Sequence, residues 1–193
     1  MRHHCIISGT GRAGTTAIVR LLTRLGLETG FDLENMYIDE TANAGLERDL
    51  RDENCPYIVK APWIGAFIRE IIDREDMIID SAIIPMREIT LAAESRRIVQ
   101  RKHGNMNFAP GGLWNVDKPE DQECKLAIEF FDLIFHLSRK AVPIIFVHFP
   151  RFVVDPEYLH EKLSQILTIP DREKFNDAFS KEMKPELVHL KEN

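Results

Sequence analysis

The chain has 193 residues, 44% of them hydrophobic and 29% charged, with a formal net charge of −6. That composition fits one globular domain spanning 1–193 with a substantial core, and the negative balance argues against broad attraction to nucleic acid or an anionic membrane. Cys5, Cys55 and Cys124 are far apart and lack CxxC spacing, which argues against a disulfide framework or structural zinc. No apolar run approaches the ~20 residues that span a bilayer, and no leader pattern precedes the first strand. A reduced, cytoplasmic protein is expected.

In chain order, an apolar strand at Cys5-Ile6-Ile7 runs into Ser8-Gly9-Thr10-Gly11-Arg12-Ala13-Gly14, and helical spacing of Ile18, Leu21, Leu22 and Leu25 predicts a helix from Thr15 to Leu25, stopping near Gly26. Residues 27–55 are charged and weakly periodic, with a polar helix predicted at Ala44–Arg51. Tyr57–Lys60 reads as a strand, Ile64–Arg74 as a helix, Ser81–Met86 as a buried strand and Ile89–Lys102 as a helix. A loop over 103–118 contains Gly111-Gly112-Leu113-Trp114, whose indole is suited to stacking on a sugar or a base, or to plugging the loop. A helix at Gln122–Lys140, a strand at Val142–Phe149, a helix opening at Asp155-Pro156 and running to Leu167, and a last helix at Glu173–Lys181 complete the pattern. Strands alternating with helices predict an α/β fold: a three-layer, doubly wound, mainly parallel sheet covered on both faces.

The strand–glycine loop–helix unit at 5–22 has the geometry that surrounds a phosphate or sulfate with backbone N–H groups and a helix N-terminus. Gly9 and Gly14 are spaced as in GxxxxGK(S/T), but Thr15 stands where the lysine belongs, and Arg12 is the one cation in the loop. Thr15 and Thr16 are placed to cap the helix and to bond an anion. A second unit, Ile83–Arg97, ends a strand in Arg87 and places Ser95 eight residues on, inside the next helix. An arginine at the carboxyl end of a strand faces the ligand crevice of an α/β sheet, and its planar guanidinium grips phosphate bidentately.

Arg12-Ala13-Gly14-Thr15-Thr16 resembles the 5′-phosphosulfate loop of PAPS-dependent sulfotransferases, with Ala13 in place of the serine of the Arg-Ser-Gly-Thr-Thr version. Arg87 and Ser95 resemble that family's 3′-phosphate pair, and Lys60-Ala61-Pro62 its Lys-Asp-Pro stretch, with Ala61 replacing the aspartate. No copy of the late Arg-Lys-Gly…Gly-Asp-Trp-Lys motif of cytosolic members is present, which fits the bacterial or Golgi-type branches. The resemblance implies a P-loop nucleoside triphosphate hydrolase-like fold and transfer of a sulfonyl group from PAPS to a hydroxyl of a carbohydrate or other small metabolite. It implies a nucleotide site of Gly11, Arg12, Ala13, Gly14, Thr15, Thr16, Arg87 and Ser95, with Arg12 and Lys60 neutralising charge and no metal required.

The resemblance further implies a glutamate base after the first helix, which Glu34, 22 residues past Arg12, matches; Asp39, Glu40 and His148 are rivals. Two other readings stay open: a nucleotide kinase or NTPase with a degenerate loop, and a nucleotide-binding module without catalysis.

Overall fold

In a computed structural model, residues 1–34, 36–39, 42–104 and 109–188 are described. They form a central sheet of four strands, β1 (Arg2–Ile7), β4 (Ile58–Lys60), β5 (Met77–Met86) and β6 (Ile144–His148), in the order β4-β1-β5-β6 with every neighbouring pair parallel. A separate antiparallel pair, β2 (Ile38–Asp39) and β3 (Ala44–Gly45), stands apart from it.

Helices cover both faces. On one face Cys5 and Ile7 of β1, Ile83 of β5 and Ile145 and Val147 of β6 pack with Leu21 and Leu22 of α1 (Thr15–Arg24). The same cluster takes in Phe152 of α5 (Arg151–Val154), Leu159 of α6 (Pro156–Leu163) and Phe175 of α7 (Arg172–Glu182). On the other face Ile6, Ala82 and Ile84 pack with Ile68 of α2 (Ile68–Ile71) and with Leu133 and Leu137 of α4 (Gln122–Arg139). Ala92 and Ala93 of α3 (Ile89–Lys102) close against Leu126 of α4. The strands are therefore buried on both sides, which is why they read as continuous apolar runs.

The alternation of β5 changes phase midway. Met77 and Ile79 face the α4 side, but so do Ala82 and Ile84, because the register steps from His4↔Ile79 to Cys5↔Ser81. Asp80 is the extra residue of a bulge, and it shifts the inward set by one position.

Two expected elements differ, and one element appears that the sequence pattern lacked. The polar helix at Ala44–Arg51 is absent: Gly45 (φ 150°) and Leu46 (φ 67°) lie outside the helical region, and Ala44–Gly45 pairs as β3. The single helix over Ile64–Arg74 is a 3₁₀ turn, Ile64–Ala66, followed by the short α2. A Cβ on Gly65 would lie 2.5 Å from the Glu129 carbonyl oxygen, so the chain there is pressed against α4. The short α5 between β6 and α6 was not expected; α6 itself opens on the Asp155 cap, whose carboxylate accepts from the Tyr158 N–H at 3.0 Å.

In this strand order the chain leaves β1 toward β4 on one side and returns to β5 on the other. The loops after β1 and β5 therefore flank the topological switch point, where ligands enter open α/β sheets.

Candidate active site

The glycine loop leaves β1 at the centre of this crevice. Ser8 is buried and anchors the loop base, its hydroxyl donating to the Ala61 carbonyl at 2.8 Å. Gly11, Arg12 and Gly14 all take left-handed conformations (φ 69°, 55° and 77°), an uncommon one for arginine. Gly14 is the N-cap of α1 and no side chain caps the first turn, so Thr15 and Thr16 are its first helical residues and not its caps. An uncapped N-terminus of a ten-residue helix presents free N–H groups and the positive end of the helix dipole to the cleft.

The cleft is about 900 Å³ and reaches from Arg87 and Phe149 past the loop to Arg48 and Lys184. Among the described residues its lining carries seven Lys/Arg against four Asp/Glu, an excess of three positive charges in a chain whose net charge is −6. Such a cleft focuses a local positive field despite the overall sign.

Arg96 lies deepest. It is 8% exposed and sits at a core-periodic position of α3 between Ala92 and Val99. Its guanidinium donates to the Thr10 carbonyl (3.0 Å) and the Gly112 carbonyl (2.8 Å), and its Nε–H has no partner among the described residues. Burial, with a push from Arg12, lowers its pKa to about 10. A Cβ on Gly11 would sit 2.4 Å from Arg96 Nη2 and would push the guanidinium aside, and the φ of 69° also favours glycine.

Arg12 donates from Nε to the Ser95 hydroxyl (3.1 Å) and from Nη1 to the Ala42 carbonyl (2.5 Å). Burial and then Arg87 bring its pKa to about 10. Arg87 donates to the Arg12 carbonyl at 2.7 Å and lies over the Phe149 ring, 5.1 Å from its centroid; its pKa is lowered by burial. Arg12, Arg87, Ser95 and Arg96 are thus one connected group around the loop.

Lys60 closes the far side. It is 2% exposed, and its ammonium donates to the Thr16 hydroxyl (2.7 Å), the Gly45 carbonyl (2.6 Å) and the Glu47 carboxylate (2.7 Å). Burial lowers its pKa and Glu47 opposes that effect.

Of the residues singled out in the sequence, Gly11, Arg12, Gly14, Thr15, Thr16, Lys60, Arg87 and Ser95 line the cleft. Ala13 is buried in the core beneath the loop, where its methyl packs with the α1 cluster. The candidate bases separate. Glu34 is exposed, its backbone N–H held by Asp32 at 2.9 Å, and it is outside the cleft lining. His148 is exposed at the end of β6 and also outside it, whereas Asp39 lines the cleft and accepts from the Ala42 N–H at 2.7 Å. Glu40 lies outside the described residues.

Trp114 stacks on Trp63 (centroids 6.4 Å apart), and its indole N–H donates to Glu129 at 2.8 Å, so the pair forms a wall of the cleft. Two residues of the site were missed. Arg96 carries a signal, a charge in the buried stripe of a helix; Glu47, in an aperiodic segment, carries none.

Comparison with known protein families, with curated protein sequences and with solved structures finds no match.

Proposed function

We propose that this chain is a PAPS-dependent sulfotransferase on a P-loop-like α/β scaffold, acting in the cytoplasm on a hydroxyl of a carbohydrate or other small metabolite. One observation carries the reading. Beside an uncapped helix N-terminus, two guanidinium groups, those of Arg12 and Arg96, hydrogen-bond among the described residues only to carbonyl and hydroxyl oxygens. Asp39 acts on Arg12 and Glu129 on Arg96 through space, but neither carboxylate is hydrogen-bonded to its arginine, and a buried cation gains from the direct countercharge an anionic ligand would bring.

The residues suit a 3′,5′-substituted nucleotide. The loop Gly11–Thr16 and the N-terminus of α1 would hold the 5′-phosphosulfate, and Arg87 with Ser95 the 3′-phosphate. Trp63, Trp114 and Phe149 offer aromatic faces for the base. No lysine stands at position 15, but Lys60 of β4 brings an ammonium to the Thr16 hydroxyl. In the transfer the acceptor oxygen bonds to sulfur, the bond from sulfur to the bridging oxygen breaks, and PAP leaves with the electron pair. Arg12 and Lys60 stabilise the charge that grows on that oxygen, and a carboxylate takes the hydroxyl proton. Of the four carboxylates lining the cleft, Asp39 acts electrostatically on Arg12 and Glu47 is bonded to Lys60.

A nucleotide-binding module without turnover is the second reading. It is favoured by Glu34 standing outside the cleft and by Lys60 having all three donors taken. Thermal shift with PAP against ATP–Mg²⁺ tests the ligand class: stabilisation by PAP is expected, and stabilisation by ATP–Mg²⁺ alone rejects both readings. Turnover of labelled PAPS over a panel of acceptors then separates enzyme from binder.

A further inference from the structure

The segment 42–47 satisfies the site's cations with its own oxygens. The Ala42 carbonyl accepts from Arg12, the Gly45 carbonyl and the Glu47 carboxylate accept from Lys60, and the Thr16 hydroxyl lies 3.4 Å from the same Gly45 carbonyl. These are three separate oxygens of one short strap, on the two cations that flank the helix N-terminus.

The strap is held in an unfavourable shape. Asn43 (φ 48°), Gly45 (φ 150°) and Leu46 (φ 67°) all have positive φ, and a Cβ at Gly45 would lie 2.6 Å from the Tyr37 carbonyl. Non-glycine residues in that region store strain that neighbouring contacts must outweigh. The contacts that do so here include bonds to Arg12 and Lys60. An ammonium has three donors, and Lys60's are filled by the Thr16 hydroxyl and two strap oxygens, so an anion reaches Lys60 only by displacing one of the three, and only Glu47 among them is itself an anion.

We infer that residues 42–47 are a displaceable strap, in which the Glu47 carboxylate stands in for the ligand's anionic group on Lys60 and gives way when that ligand binds. The identity of the ligand rests on the proposed function; the exchange itself requires only an anion. Removing the charge of Glu47 takes away the internal competitor. Glu47→Gln should therefore bind anions about tenfold more tightly, a difference of ~1.4 kcal/mol. In the unsubstituted protein, ligand should speed amide exchange at 42–47 while slowing it at 11–17.

The test measures binding of PAP and of inorganic pyrophosphate to the full chain, to Glu47→Gln and to Glu47→Ala, with hydrogen exchange on each. Tighter binding by both variants with release of 42–47 is the expected result. Equal or weaker binding by both variants, or greater protection of 42–47 on ligand addition, overturns the strap and makes Glu47 a fixed support of Lys60. Pyrophosphate binding that tightens in the variants while PAP fails to bind keeps the strap and rejects the nucleotide reading. PAP binding that the variants leave unchanged does the reverse, and binding of neither probe by any of the three proteins rejects both.

Discussion

Replacing Arg96 by methionine separates a ligand-binding arginine from a structural one. Arg96→Met keeps an unbranched side chain in the α3 stripe but removes the guanidinium, which is 8% exposed and bonded to the Thr10 and Gly112 carbonyls. Two hydrogen bonds from a charged donor contribute about 1.5–3 kcal/mol each. Against them stands the cost of keeping an ion out of water with no carboxylate on it, several kcal/mol. The two nearly cancel, so the ligand-free variant should be within about 2 kcal/mol of the parent in urea melts.

Ligand response should change far more. PAP at about 100 times its Kd stabilises a protein by ~2.7 kcal/mol, which for a domain of this size raises Tm by roughly 5–10 °C. Loss of a charged contact worth ~2–3 kcal/mol weakens binding roughly 30- to 150-fold. At the same PAP concentration the remaining stabilisation is below ~1 kcal/mol, a shift under about 4 °C. A loss of ligand-free stability above ~4 kcal/mol in Arg96→Met, with the PAP shift kept in full, would make Arg96 a packing residue and not a ligand contact.

Three further outcomes are expected. Gly14→Ala places a Cβ 2.7 Å from the Phe152 ring at a φ of 77°, so it should displace the loop, cost about 1–3 kcal/mol in urea melts and abolish the PAP-induced Tm shift. Glu182, whose side chain is fully buried and bonded to both Arg20 and Arg24, ties α7 to α1; Glu182→Gln should cost about 3 kcal/mol in urea melts, and a change under ~1 kcal/mol would mean that the pair is dispensable. His4 is 1% exposed, shares a contact with the Pro56 carbonyl at 2.8 Å, and has its pKa lowered from 6.5 chiefly by burial. The unfolded chain therefore binds a proton below pH 6.5 that the folded protein refuses: the contribution of His4 is complete above 6.5 and is lost as the pH falls toward its lowered folded value. Urea melts at pH 7.5 and 5.5 should show a loss that shrinks in His4→Leu.

The central sheet was legible because its strands are short apolar runs between turn residues, a pattern that burial on both faces imposes. The loop Ser8–Thr16 was legible because glycine density is a local signal. What escaped was set by tertiary contact. Ala44–Arg51 has the polar composition of a surface helix, yet bonds from Lys60 and the pairing with Ile38–Asp39 hold it as strand and strap. Ile64–Arg74 has a helical period, but Gly65 is pinned against α4, a partner more than fifty residues away. Glu34 matched a spacing along the chain, whereas the position of a base is a matter of which loop folds over the cleft, and here that is the segment carrying Asp39 and Glu47.

The register of the sheet and the geometry of the cleft are one problem. Lys60 is the partner of Ile7, the last residue of β1, so the far cation is level with the start of the glycine loop. Ile83 pairs with Ile7 on the other side, which brings Arg87, four residues on, to the loop's opposite flank. A one-residue slip exchanges the two faces of a strand. Without the extra residue at Asp80, the apolar set Met77 and Ile79 could not share a face with Ala82 and Ile84. Either the core on the α4 side would be broken, or Ile83 and the residues beyond it would turn to the wrong face and Arg87 would leave the Phe149 ring and the Arg12 carbonyl. The bulge, remote from the cleft, is thus what lets one strand serve both the core and the cluster of Arg12 and Arg87.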